Sequence, residues 1–309
     1  MKNHQIITLT INPSLDKSAH FNGLIPEQKM RCETPKYDAG GGGINVSKAI
    51  SKLEGSSFCV FTSGGSSGKM LEELIQKEEI DILVLKTKNW TRENFIAFDT
   101  STKSQYRFGF PGNELSIDEQ DKIKATIKEL HSDYLILSGS LNNGLASNFY
   151  QEIAEIAKAS GKKVIVDTSG EALQKVLESG VYLIKPNIGE LAKLLGVERL
   201  EFSEVEKAAK TIIENKNSEI VVVSLGAEGA ILVTKKETHF VKAPKVEKKS
   251  TVGAGDSMVG GMVWALSQNK TLKEVLQFGV CCGTAATMNE GTQLFKAEDV
   301  QKLFKEMQK

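Results

Sequence analysis

Short unbroken apolar runs recur along this chain, and most are followed by a segment of helical period. Residues 6–11, 58–62, 82–85, 134–137, 164–166, 182–184 and 219–223 read as strands rich in Ile, Val and Leu. Between them, sets such as Ile44, Val46, Ala49, Ile50, Leu53 and Met70, Leu71, Leu74, Ile75 recur at helical spacing. A strand that is apolar on both faces must be covered on both, and amphipathic helices are what the intervening sequence supplies. The pattern therefore predicts an α/β fold, with a mostly parallel central sheet between two helical layers. Its 309 residues fit one such domain.

Two stretches break the rhythm. Residues 16–37 and 88–111 carry short alternating strands without helices, including a hairpin of 94–99 and 105–110 around Thr100-Ser101-Thr102-Lys103. They predict a small β-sheet lid over the mouth of the main sheet, inserted into a single domain spanning 1–309. Such edge strands need burial, so a homodimer through the lid is expected.

The charge balance limits the partners. Thirty-nine basic and 39 acidic residues leave no excess for a nucleic-acid or membrane surface, so an anionic substrate must be met by a few placed cations. No apolar run reaches membrane-spanning length, and Met1-Lys2-Asn3-His4-Gln5 leads into a strand rather than a signal peptide. Cys32, Cys59, Cys281 and Cys282 form no Cys-x-x-Cys pair and read as reduced thiols of a cytoplasmic protein.

Three glycine-rich segments compete for a chemical role. In Ser250-Thr251-Val252-Gly253-Ala254-Gly255-Asp256-Ser257, the glycines uncover amides at a helix start and Asp256 could accept a proton from an attacking hydroxyl. The same spacing also fits a plain turn with Asp256 as helix cap. Gly40-Gly41-Gly42-Gly43-Ile44-Asn45 permits close approach of a ligand to the backbone, with Asn45 placed to bond hydroxyls. Gly64-Gly65-Ser66-Ser67-Gly68-Lys69-Met70 imitates a phosphate loop but misses its spacing by one residue and lacks the following Ser or Thr. No dinucleotide fingerprint and no tight metal-ligand spacing is present.

In order and spacing these segments resemble the ribokinase-like, or PfkB, family of sugar kinases. The resemblance extends over nearly the whole chain. It includes Asn12-Pro13-Ser14-Leu15-Asp16, Lys185-Pro186-Asn187-Ile188-Gly189-Glu190 and Ser224-Leu225-Gly226-Ala227-Glu228-Gly229 as well as the two loops above. Within the family the chain is most similar to the 6-phosphofructokinase branch. Where 1-phosphofructokinases and tagatose-6-phosphate kinases usually carry Lys, this loop has Gly42. One departure is Ser138-Gly139-Ser140-Leu141-Asn142-Asn143-Gly144, where two prolines usually follow the Leu.

The resemblance implies transfer of the ATP γ-phosphate to a sugar-phosphate hydroxymethyl group, with the following roles. Asp256 would be the base, beside the amides of Gly253, Ala254 and Gly255. Asp16, Gly41, Gly42 and Asn45 would line the sugar. Lys29, Arg92 and Ser140 would hold the phosphate already present, with Arg31 a further candidate that could reach from a partner subunit. Lys185, Asn187, Ser224, Gly226, Gly229, Val280, Gly283 and Thr284 would surround ATP. Asn187 and Glu190 would organise Mg2+, largely through water, although Asn-x-x-Glu also fits a helix cap. A monovalent-cation site, K+ in the family, would involve Ser250, Val252, Ala286, Asn289 and Gly291, mostly through backbone carbonyls.

Overall fold

The computed structural model describes residues 4–289 and 293–308. Nine strands form the main sheet: β1 (Ile6–Thr10), β4 (Phe58–Ser63), β5 (Asp81–Lys86), β8 (Tyr134–Ser138), β9 (Lys163–Asp167), β10 (Val181–Ile184), β11 (Ser218–Ser224), β12 (Ala230–Thr234) and β13 (Thr238–Val241). Their order is β13-β12-β11-β10-β9-β8-β1-β4-β5. Every pair from β5 to β11 is parallel, as the apolar runs predict. The β11–β12 and β12–β13 pairs are antiparallel, an extension that the alternating rhythm does not mark. The β12–β13 connection is a tight turn in which Thr234 Oγ1 accepts from the amides of Lys236 and Glu237, and only a single 3-10 turn, Gly226–Glu228, joins β11 to β12, so no amphipathic helix intervenes to give a signal.

Side chains of each strand divide between two cores. Ile7, Leu9, Leu135, Leu137, Val164 and Val166 pack with α3 (Ile117–Glu129), α4 (Phe149–Ala159), α5 (Gly170–Glu178), α6 (Ile188–Leu194) and α7 (Val205–Glu214). Ile6, Ile136, Ile165, Leu183, Ile220 and Val222 pack with α1 (Gly42–Lys52), α8 (Ala254–Ser267) and α9 (Leu272–Thr287). The strand period of two thus produces both covered faces. Helix α8 is apolar nearly all round because it lies between α1 and α9. Gly260 and Gly261 permit this: a Cβ would lie 2.5 Å from Ala49 at the first and 2.6 Å from Cys282 at the second.

The chain runs from β1 to β4 and β5 on one side, then returns to β8 on the other. Strand order therefore reverses at the β1–β8 pair, and the crevice beyond the carboxyl ends of such strands is where open α/β sheets bind ligands. Over it lies the lid, a four-stranded sheet in the order β3-β2-β6-β7. Its strands are β2 (Ser14–Phe21), β3 (Lys36–Gly40), β6 (Arg92–Asp99) and β7 (Ser104–Phe108), and β2 pairs with β6 in parallel. The β6–β7 hairpin turns at residues 100–103, as the sequence indicates.

Candidate active site

Gly253 takes φ 74° and caps α8, so its backbone enters the helix through a conformation that only glycine adopts freely. Asp256 falls in the first turn rather than at the cap. Asn45 Nδ2 donates to Asp256 Oδ2 at 2.8 Å, joining the start of α1 to the start of α8. Gly41, at φ 130°, caps α1, and Thr10 Oγ1 accepts from the Ile44 amide at 3.0 Å. A Cβ at Gly42 would lie 2.2 Å from Ser138 Oγ, so this loop sits directly on the end of β8.

The electrostatics single out three residues. Burial is the main cause that lifts the Asp256 pKa to about 6; the charge of Asp167 adds to it, while the Asn45 bond and Lys185 oppose it. Lys185 is buried and pairs with Asp167 at 3.2 Å. Burial alone would lower the pKa of its amine, but the charges of Asp167, Asp256 and Glu190 outweigh it and the net shift is upward. A Cβ on Gly255 would lie 3.5 Å from Lys185 Nζ, which places this cation beside the 253–256 turn. The arrangement offers a carboxylate with raised proton affinity beside a fixed cation at a helix start, which suits proton acceptance next to a transferring anion.

Asp16 stands at the rim. It accepts from Ser14 Oγ at 2.7 Å and from Asn94 Nδ2 at 2.8 Å, the second bond following from the β2–β6 register. Burial raises its pKa despite those bonds. Arg92 begins β6, donating from Nη1 to Phe110 O at 3.0 Å and from Nη2 to Asn12 O at 3.2 Å. Asn12 Nδ2 donates in turn to Ser140 Oγ at 3.1 Å, so Arg92 and Ser140 belong to one network. Lys29 and Arg31 are not drawn into it. Both lie on the exposed stretch between β2 and β3, which is tied to the sheet by the Phe21–Cys32 bridge and by the Gly23 amide donating to Asp99 Oδ1.

On the other side of Asp256, Asn187 and Glu190 form a reciprocal helix cap on α6, with both bonds at 2.9 Å. Asn187 also bridges to Ser224, which puts the end of β11 beside it. Gly226 (φ 61°) and Gly229 (φ 110°) shape the next turn, and a Cβ at Gly229 would meet Val241 O at 2.0 Å. Val280, Gly283 and Thr284 lie on α9, and Gly283 packs against Ala254 O. Near the foot of α9, the amides of Lys249 and Ser250 both donate to Thr287 O, and the Val252 amide donates to Ser250 Oγ. Ala286 O accepts from the Asn289 amide, so four of the expected cation-loop residues are neighbours; Gly291 lies outside the described residues.

The comparisons fit this geometry. The family pattern described as pfkB family carbohydrate kinase matches residues 7–299. This chain is a pfkB family carbohydrate kinase. The kinase is 40% identical over 302 residues to the ATP-dependent 6-phosphofructokinase isozyme 2 of Escherichia coli strain K12, covering 97% of this chain and 98% of that one. It superposes with a TM-score of 0.96 on the Escherichia coli phosphofructokinase-2 structure in complex with potassium, at 40% identity, with 99% and 100% of the two chains covered. The structure of that enzyme with fructose-6-phosphate gives a TM-score of 0.94 at 38% identity, again covering 99% and 100%.

Sequence reasoning assigned no role to Asp167, Asn12, Ser138 or Asn94 in this kinase. Asp167 had a signal, being a carboxylate that closes the apolar run Val164-Ile165-Val166 at a strand's carboxyl end. The other three had none, because each acts by meeting a residue distant in sequence.

Proposed function

We propose that this kinase transfers the γ-phosphoryl group of ATP to the 1-hydroxyl of fructose 6-phosphate, giving fructose 1,6-bisphosphate and ADP. One observation carries the chemical part: Asp256, in the first turn of α8, is held by Asn45 and lifted to a pKa of about 6. Such a carboxylate is ionised at neutral pH yet more proton-hungry than an ordinary one. The 40% identity to a 6-phosphofructokinase over nearly all of both chains supports the substrate. So does Gly42, which stands where 1-phosphofructokinases and tagatose-6-phosphate kinases usually carry Lys.

In this reading the sugar's hydroxymethyl lies beside Asp256, which takes its proton late in a loose transition state. Asp16, Gly41 and Asn45 orient the sugar. Arg92 keeps N–H donors beyond the two that hold it to Phe110 and Asn12, and with Ser140 and Lys29 it holds the 6-phosphate. Lys185 and the 253–256 amides face the transferring group, while Ser224, Gly226, Gly229, Val280, Gly283 and Thr284 line the nucleotide. The donor set at Asn187 and Glu190 fits Mg2+: among the described residues no cluster of three His, Cys, Asp or Glu side chains could enclose a metal, and Mg2+ favours one or two protein oxygens plus water and nucleotide phosphates. Bound there, it would neutralise phosphate charge. Ser250, Val252, Ala286 and Asn289 would supply a potassium site.

The chain works as one domain with the small sheet as its lid, and as a homodimer that covers the lid's outer face and brings Arg31 toward the neighbouring site. The free cysteines, three of them buried, fit a cytoplasmic enzyme. A coupled assay over fructose 6-phosphate, fructose 1-phosphate, tagatose 6-phosphate and fructose, with ATP and magnesium, tests the reading. It expects the highest kcat/KM on fructose 6-phosphate; a higher value on either other sugar phosphate would overturn the substrate assignment.

A further inference from the structure

A small polar cavity lies beneath the root of the lid. It has a volume of about 10 Å3, and its lining includes Asn12, Thr91, Arg92, Asn113 and Asn142. Two side-chain atoms of that lining are buried and unpaired: Arg92 Nε, a donor, and Asn142 Oδ1, an acceptor. A buried guanidinium N–H without an acceptor is costly, and so is a buried amide oxygen without a donor. Finding both on one cavity with room for about one water molecule indicates a common partner.

The position of Asn142 strengthens the case. It falls where the family usually has proline, and the structure shows what the asparagines do in its place. Asn142 Nδ2 donates to Asn113 O at 2.7 Å, and the Asn143 amide donates to Gly112 O at 3.2 Å, a bond that proline cannot make. These bonds fix the 141–144 loop against residues 112–113 and leave Oδ1 as the remaining polar group of Asn142. Arg92 has the matching gap, since Nη1 and Nη2 are both held by main-chain carbonyls while Nε is not.

We propose that Asn142 is a positioning residue for Arg92, acting through one buried water that accepts from Arg92 Nε and donates to Asn142 Oδ1. The water fixes the rotation of the guanidinium and so keeps its outer N–H groups aimed at the sugar's phosphate. This rests on the reading that Arg92 holds that phosphate.

The test is a double-mutant cycle of Asn142→Leu and Arg92→Lys, read as KM for fructose 6-phosphate, KM for ATP and kcat. Asn142→Leu should raise KM for fructose 6-phosphate about 3–10-fold, the range of one net hydrogen bond. It should leave KM for ATP, kcat and kcat/KM on free fructose unchanged. Arg92→Lys keeps the charge but removes the Nε donor, so Asn142→Leu should cost nothing further in that background. Equal losses in both backgrounds would sink the proposal alone, assigning the effect to the Asn113 bond. No change of KM in Arg92→Ala, which removes the charge as well, would sink the phosphate reading and the proposal with it. A high-resolution crystal structure of the unaltered protein gives an answer that does not depend on the variants folding. A water within hydrogen-bond distance of both atoms supports the proposal, and its absence overturns it.

Discussion

Two glycine-rich turns in this molecule look alike in sequence and behave in opposite ways. Gly64-Gly65-Ser66-Ser67-Gly68 opens α2 (Gly65–Gln76), and Gly253-Ala254-Gly255 opens α8. Each uses a glycine at positive φ, 66° at Gly65 and 74° at Gly253. At the first turn the space that glycine leaves is filled by the protein itself. A Cβ on Gly65 would lie 2.3 Å from Trp90 and one on Gly64 would lie 2.0 Å from Asn89 O. The Gly64 amide donates to Thr91 Oγ1, and Ser67 Oγ donates to Thr91 O. At the second turn, a Cβ on Gly253 would meet Leu294 Cδ2 at 2.8 Å, but one on Gly255, beside Asp256, would find only Lys185 Nζ, at 3.5 Å. Glycine licenses close approach without saying what approaches. Here the neighbouring charges decide: Asp256, Lys185 and Asp167 surround one turn, and the packed Trp90–Arg92 strand root covers the other.

That contrast can be broken or sharpened experimentally. The largest effect is expected from Asp256→Asn, which should keep substrate affinity but lower kcat by about 10²–10⁴-fold. Turnover near that of the wild type would reduce the 253–256 turn to a helix cap. Next comes Arg92, which the 64–68 turn supports through Thr91. Arg92→Ala should raise KM for fructose 6-phosphate by about 10–100-fold, the size of a charge-assisted bond, with little change in KM for ATP. Free fructose should be a poor substrate for both proteins, so an equal loss on both sugars would make Arg92 a structural residue.

A direct comparison of the two turns follows. Gly255→Ala should fold normally but lower kcat roughly tenfold or more, because the methyl group intrudes on the transferring phosphoryl group. Gly65→Ala should do the reverse. Positive φ together with the Trp90 clash should cost about 1–3 kcal/mol of stability, with KM for the sugar phosphate rising only about 2–5-fold. Thermal melts beside steady-state kinetics check the pair, and matching profiles would erase the distinction.

The pH dependence is the gentlest test. Asp256 must be ionised to act, so kcat/KM should fall as pH drops through about 6, approaching tenfold per unit below it. Stability runs the opposite way. The folded pKa lies above the ordinary 3.8, so the cost of ionising the buried carboxyl is absent below that value and appears as pH rises through about 6. Asp256→Asn removes that cost and should raise Tm above the wild type at pH 8, by roughly 2–6 °C, with the gap closing near pH 4. A gap that persists at pH 4 would contradict the raised pKa.

Much of this was legible beforehand, for reasons that particular residues make plain. The seven parallel strands announced themselves because each must be apolar on both faces. The β12–β13 hairpin did not, because β13 (Thr-His-Phe-Val) is a short edge strand on which only Val241 is buried. Asp256 was readable because helix-start glycines and a carboxylate are adjacent in the chain. Asp167 was half readable, and Asn12 not at all, since its contacts with Ser140 and Leu141 span 128 and 129 residues.

The sequence by itself determined the period of its apolar residues, and with it a parallel sheet covered on both faces, the lid segments and the carboxylate proposed as the base. Local repetition and adjacent motifs suffice for those properties. Only the tertiary structure decided which glycine-rich turn stays open, that Lys185 lies against Asp167 and the 253–256 turn, and that Arg92 is anchored by Asn12 and Phe110. Each of these depends on which distant group occupies the space beside a residue. Desolvation and charge then act on the whole neighbourhood rather than on the chain's order, which is why the raised pKa of Asp256 belongs to the fold and its carboxylate to the sequence.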